Sequence, residues 1–203
     1  MIFARVALSA TALAVFTACA APTSDLTYLA SLVGKYPWEG AGAGQPSFFE
    51  VPYIKKSFEQ VVPTVLRKTI TGELITGAPN RVINGFFVIS GCKPHDCPSK
   101  NYIALVRLAD GATFFVVYDA STGSDDASAT RCFSSQGEIG SLPVEIREEI
   151  LLQHTFRLDA TDSVVARNEW VNHVTCSNEG SNQALQRDAS GAGERQRWEV
   201  ARS

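Results

Sequence analysis

Six residues, Cys92-Lys93-Pro94-His95-Asp96-Cys97, constrain this chain more than any other stretch, because they sit between two strongly apolar runs. Arg81 to Ile89 (RVINGFFVI) leads in and Tyr102 to Ala109 (YIALVRLA) leads out, each with the β-branched and aromatic content of a strand. The hexapeptide is therefore expected at the tip of a β-hairpin. Two cysteines five positions apart can close that tip into a small ring that displays a cation, a proline, an imidazole and a carboxylate.

The strands continue on either side. From Val65 to Tyr118 the chain reads as an antiparallel meander, with Asp110-Gly111 as a two-residue hairpin turn before Thr113 to Tyr118 (TFFVVY). A run such as Phe86-Phe87-Val88-Ile89 is apolar on both faces of a strand, so the sheet needs cover on each side. Three amphipathic helices are available to supply it. The first starts at Ser24-Asp25, carries Leu26, Leu29, Leu32 and Val33, and ends at Gly34 and Pro37. The second opens at Pro52, places Ile54, Phe58, Val61 and Val62 at i, i+4, i+7 and i+8, turns Lys55, Lys56 and Glu59 outward, and stops at Pro63. The third begins at Pro143 and sets Val144, Ile146, Ile150 and Leu151 on or near one face, with His154 at its end. Residues 39–47 and 119–131 are expected as loops, and Phe156 to Leu158 and Val164 to Val174 as short strands. Residues 177–197 are polar and rich in Gly and Ser, while Trp198 suggests that the terminus docks. The expected fold is α+β: a central antiparallel β-sheet flanked by helices, with a protruding disulfide-closed hairpin loop.

Charge and cysteine usage set the compartment. Residues 1–22 have the form of a signal peptide, with Arg5 ahead of an apolar stretch from Val6 to Phe16 that is too short to span a membrane. Two processing outcomes follow. Ala18-Cys19-Ala20 is a small-x-small cleavage site, and Phe16-Thr17-Ala18-Cys19 resembles a lipobox, with Phe16 where leucine is usual. Lipidation is preferred because it gives Cys19 a purpose. The remaining cysteines are Cys92, Cys97, Cys132 and Cys176, an even set in an oxidising compartment. Cys92–Cys97 is the local pairing, which leaves Cys132–Cys176. A net charge of −3 with no basic stripe excludes a nucleic-acid binder. The chain divides into the leader 1–22, a domain at 23–158 and a partly mobile extension at 159–203.

Several chemistries can be weighed at the loop. Cys92, His95 and Cys97 are metal-ligand types, but an exported Cys-x4-Cys pair oxidises more readily than it holds zinc. A thiol oxidoreductase needs Cys-x-x-Cys at a helix N-terminus, and neither the spacing nor the setting fits. His95 as a catalytic base has only Asp96 beside it, and no GxSxG, HExxH or phosphate loop occurs. His154 and His173 are isolated and read as structural or solvated. No metal, cofactor or enzymatic activity is expected. Two readings of the loop remain: a rigid plug whose ordering cost is met before binding, and an ordinary disulfide-stabilised turn with a solvated His95.

Gly91-Cys92-Lys93-Pro94-His95-Asp96-Cys97 resembles the signature loop of the Ivy-type periplasmic inhibitors of vertebrate (C-type) lysozyme, and the pattern of surrounding elements agrees over roughly residues 48–155. The resemblance implies a non-enzymatic protein, exported to the periplasm, often dimeric, that inserts this loop into the lysozyme cleft. It implies that His95 meets the two catalytic carboxylates, that Asp96 supports it, that Lys93 and Pro94 complete the contact surface, and that Cys92–Cys97 clamps the ring. Lysozyme is strongly basic, so a mildly acidic partner suits it. Other readings compatible with these residues are a regulator of endogenous lytic transglycosylases and a non-inhibitory envelope lipoprotein anchored through Cys19.

Overall fold

The computed structural model describes residues 23–122, 129–154 and 174–177. The leader with Cys19, the expected strand at Phe156 to Leu158, most of that at Val164 to Val174, His173 and Trp198 lie outside the described residues. Three helices, α1 (Thr23–Ser31), α2 (Pro52–Val61) and α3 (Thr64–Gly72), precede the strands. The strands are β1 (Arg81–Ile83), β2 (Phe86–Cys92), β3 (Lys100–Arg107), β4 (Thr113–Asp119), β5 (Thr130–Ser134) and β6 (Cys176–Ser177), and α4 (Val144–His154) falls between the last two. All six strands form one sheet in sequence order. Successive pairs are antiparallel except β5–β6, which is parallel. The expected α+β class, a sheet flanked by helices, is what forms.

Alternation along the central strands divides the core. Phe87, Ile89, Tyr102, Ala104, Phe115 and Val117 point to one face and pack with Leu29, Ile54, Phe58 and Ile70 of α1 to α3. Phe86, Val88, Ile103, Leu105, Phe114 and Val116 point to the other and are covered by Ile146, Ile150 and Leu151 of α4. A strand that is apolar in both registers is thus sealed twice, and β4 is buried along its whole length.

The α2 stripe lies where its spacing puts it: Ile54, Phe58 and Val61 are buried, while Lys55, Lys56 and Glu59 are exposed. Helix α1 ends at Ser31, short of the expected Val33; Leu29 within it and Leu32 just beyond it are buried, while Val33 is exposed. Val144 is likewise exposed, because two residues before the buried Ile146 it lies on the far side of α4.

Four expectations are corrected. Residues 64–72 form α3 rather than the start of the meander: Pro63 ends α2 and supplies the N-cap of a new helix that buries Leu66, Thr69 and Ile70 at i, i+3 and i+4. Arg81 to Ile89 is two strands, because Asn84 (φ 45°) and Gly85 (φ 78°) both adopt the left-handed conformation that a tight type I′ hairpin turn requires. Thr130 and Arg131 belong to β5 rather than a loop, with Phe133 opposite Phe115 and Cys132 opposite Val116. The hairpin at Asp110-Gly111 also forms, but through a four-residue connection, 108–111, rather than the expected two-residue turn, since Val106 pairs with Thr113 and the Arg107 amide donates to the Ala112 carbonyl. Arg107 donates from Nε and Nη2 to the Asp110 carboxylate at 2.8 and 2.7 Å, and Gly111 takes φ 79°.

Candidate functional site

The loop is the continuation of the β2–β3 hairpin. Gly91 faces Tyr102 and Cys92 faces Asn101, after which the Lys93 amide donates to the Lys100 carbonyl at 3.0 Å. Beyond that point the backbone folds on itself twice. The Asp96 amide donates to the Lys93 carbonyl at 3.0 Å, closing a four-residue turn with Pro94 at its second position and His95 at its third. His95 has φ 64° there, so the turn carries the marks of type II: proline where φ is pre-set, and a left-handed residue next. That third position favours glycine, yet this chain places an exposed imidazole in it. The Ser99 and Lys100 amides both donate to the Asp96 carbonyl at 3.1 Å, and Asn101 Nδ2 donates to the Cys97 carbonyl at 3.0 Å. The Cys92–Cys97 disulfide, with Cα atoms 4.8 Å apart, closes the ring.

Lys93 and Asp96 form an ion pair across the turn at 3.6 Å, each about half exposed, so it orients the two side chains more than it stabilises them. The Asp96 carboxylate thus faces Lys93, and among the described residues no hydrogen bond joins it to His95. Cys132–Cys176 is likewise closed, with Cα atoms 4.4 Å apart, and it ties β6 to β5. Among the described residues no group of three or more His, Cys, Asp or Glu is placed to hold a metal ion, and no helix is long and apolar enough to cross a membrane.

The loop is also braced from both sides by residues that carry no signal in the sequence. Thr76 exchanges two backbone hydrogen bonds with Cys92, at 2.6 and 3.1 Å. On the other flank Lys100 lies 3.5 Å from Glu73 and 3.3 Å from Asp119, and the Ala120 amide donates to the Ser99 carbonyl at 2.9 Å. Gly91 is required by the close approach on the first side. A Cβ there would meet the Tyr102 ring at 2.5 Å and the Leu74 carbonyl at 2.6 Å. Gly91→Ala is therefore expected to cost about 1–3 kcal/mol through overpacking, read as a lowered denaturation midpoint. An unchanged midpoint would mean that the two segments part freely.

Asp119 supplies a pH-dependent component. Burial pushes its carboxyl up, but Ser121, donating from its amide and hydroxyl, together with Lys100, outweighs burial and holds it below the usual range. Stability from this group is fully present above the ordinary Asp value near 4 and is lost as pH falls through the lowered folded value. The urea midpoint is expected to fall between pH 6 and pH 3, and Asp119→Asn to flatten part of that decline. Equal slopes in both proteins would remove Asp119 from the account.

Fold and loop together define an α+β domain that presents a disulfide-closed turn. Residues 57–150 match the model of the family described as inhibitor of vertebrate lysozyme (Ivy). The match runs from α2 into α4 and encloses the whole loop. By its description, the family whose model matches is one of lysozyme inhibitors. No curated protein and no solved structure matches the chain.

Proposed function

We propose that this protein inhibits C-type lysozyme by inserting the Cys92–Cys97 loop into the active-site cleft, with His95 engaging both catalytic carboxylates. The observation that carries this reading is the exposed His95 in a left-handed backbone position, inside a ring closed by a disulfide. A backbone position this unfavourable for an L-residue survives only where the surroundings over-determine it, and such positions concentrate at functional sites.

The chemistry of the target suits an imidazole. Retaining glycosidases, of which lysozyme is the type case, hold two carboxyl groups about 5–5.5 Å apart. One is kept protonated by an apolar pocket and the other is ionised. An imidazole between them offers one ring nitrogen to each. A protonated ring gains on the order of 4 kcal/mol from a close carboxylate at intermediate dielectric, before desolvation is subtracted. Pro94 and the ring keep the loop pre-ordered, so little freedom is lost on binding. Lys93, half exposed, sits at the cleft rim with its charge solvated.

The test is lysis of a wall suspension by C-type lysozyme with the purified mature protein present. Unchanged lysis at micromolar protein would sink the reading, and a parallel assay with a lytic transglycosylase separates the two classes of target. The location we propose is the periplasm, with the chain lipid-anchored through Cys19. Intact-mass measurement of the mature protein should show an acylated Cys19, and a free N-terminus at another residue would refute the anchor.

A further inference from the structure

Beside the loop hairpin lies an open cleft of about 340 Å³, whose lining includes Trp38, Phe49, Glu50, Ile70, Ile75 and Tyr102. These residues come from four separate segments, so no local pattern announces the cleft. Its floor holds the phenol of Tyr102, a residue only 2% exposed, whose hydroxyl has no hydrogen-bond partner among the described residues. Buried tyrosines usually find such a partner, and burial pushes this phenol's pKa up, so it stays neutral and keeps both donor and acceptor capacity. At the rim, Glu50 Oε2 accepts from the Ser47 amide and hydroxyl, each at 2.8 Å, which leaves Oε1 with no bond among the described residues. Those Ser47 donors hold the Glu50 carboxyl below its usual range, so it is charged at neutral pH. Trp38 is 48% exposed and Ile75 50%, and Tyr36 stacks against Trp38 with ring centroids 5.2 Å apart.

The cleft therefore offers apolar walls, an indole face, one carboxylate oxygen and one phenol oxygen. A purely apolar side chain would leave both oxygens unmatched. An arginine satisfies all four, because its stem packs on the walls, its planar guanidinium stacks on indole, and its forked N–H groups reach two acceptors. The position also matters. Tyr102 faces Gly91 across the hairpin, and Ile75 adjoins Thr76, which bonds to Cys92. His95 is four residues past Gly91, at most ~14 Å along the chain. One side of a standard protein interface covers about 800 Å², roughly 30 Å across, so a single partner reaches both places.

We infer that this cleft is a second docking contact, seating an arginine side chain of the same basic protein whose active site receives the loop. The inference rests on the loop reading above. Its test compares Glu50→Gln, Tyr102→Phe and Trp38→Ala with His95→Ala in inhibition of C-type lysozyme. Each cleft variant should weaken inhibition about 5–10-fold, mainly through faster dissociation. Tyr102→Phe should keep the unfolding midpoint, since its hydroxyl bonds nothing within the described fold. Against lysozyme whose arginines are blocked with phenylglyoxal, the difference between wild type and Glu50→Gln should vanish, while acetylating the lysozyme lysines should leave it intact. Cleft variants that inhibit like wild type, beside a His95→Ala variant that does not, would overturn the cleft and leave the loop reading standing. A difference that persists on arginine-blocked lysozyme would overturn the arginine. A wild-type protein that inhibits no C-type lysozyme would remove both.

Discussion

Inhibition of C-type lysozyme should fall at least about 30-fold on His95→Ala, the effect of losing a residue worth about 2 kcal/mol or more at the centre of an interface. The fold should be untouched. His95 is exposed, and the turn around it is closed by the backbone bond from Asp96 to Lys93 and by the disulfide, neither of which uses the imidazole. His95→Gly sharpens the argument because the same position then gains conformational fit. A left-handed residue other than glycine costs roughly 1–2 kcal/mol, so this variant should be as stable as wild type or up to about 1 kcal/mol more stable, yet equally poor as an inhibitor. The combination to look for is a raised thermal midpoint with lost inhibition. A His95→Ala variant that inhibits normally would transfer the function to Lys93, Asp96 or the ring backbone.

The largest effect on stability is expected from the other disulfide. Cys132 and Cys176 are 44 residues apart in sequence, and loop-closure entropy for a ring of that size corresponds to about 4 kcal/mol. That is a large share of the 5–15 kcal/mol available to a typical domain. Replacing both cysteines with serine should lower the melting temperature by roughly 8–16 °C. Removing Cys92–Cys97 releases a ring of only six residues and about 2 kcal/mol by the same reasoning. The two bonds should therefore separate in assay. The serine pair at 132 and 176 melts early but inhibits while folded, whereas the serine pair at 92 and 97 melts only about 4–8 °C below wild type and inhibits poorly. Early melting of the second pair and not the first would reverse the assignment of structural and functional bonds.

The hairpin, the two-sided sheet and the helical stripe of α2 were legible because each rests on a periodicity or a turn residue with one physical meaning. The loop was legible for the same reason, since two cysteines, a proline and two flanking apolar runs all point to a closed turn. Helix α3 was not, because Thr64, Val65, Thr69, Ile70 and Thr71 are β-branched and favour a strand by propensity, while its inward spacing rests on only three residues, Leu66, Thr69 and Ile70. The Asn84-Gly85 turn was hidden by the apolar residues on either side of it, although that dipeptide is itself a strong hairpin signal. Strand β5 is short and carries Arg131 as its second residue, so only its pairing with β4 reveals it. The braces at Thr76, Glu73 and Asp119, and the cleft around Tyr102, depend on contacts between distant segments, which no window along the chain contains.

A sheet sealed on both faces has little left with which to meet a partner. Its broad surfaces are spent on α1 to α3 and on α4, and its outer strands, β1 and β6, are three and two residues long. Besides the cleft around Tyr102, what remains are the turns at its ends, and one of them is a six-residue ring whose side chains take no part in either core cluster. Such a design uncouples recognition from folding. On the proposed reading, Lys93, His95 and Asp96 could be exchanged by mutation while every contact of the sheet beneath is kept, so an inhibitor of this build could follow a changing target with little risk to its own stability.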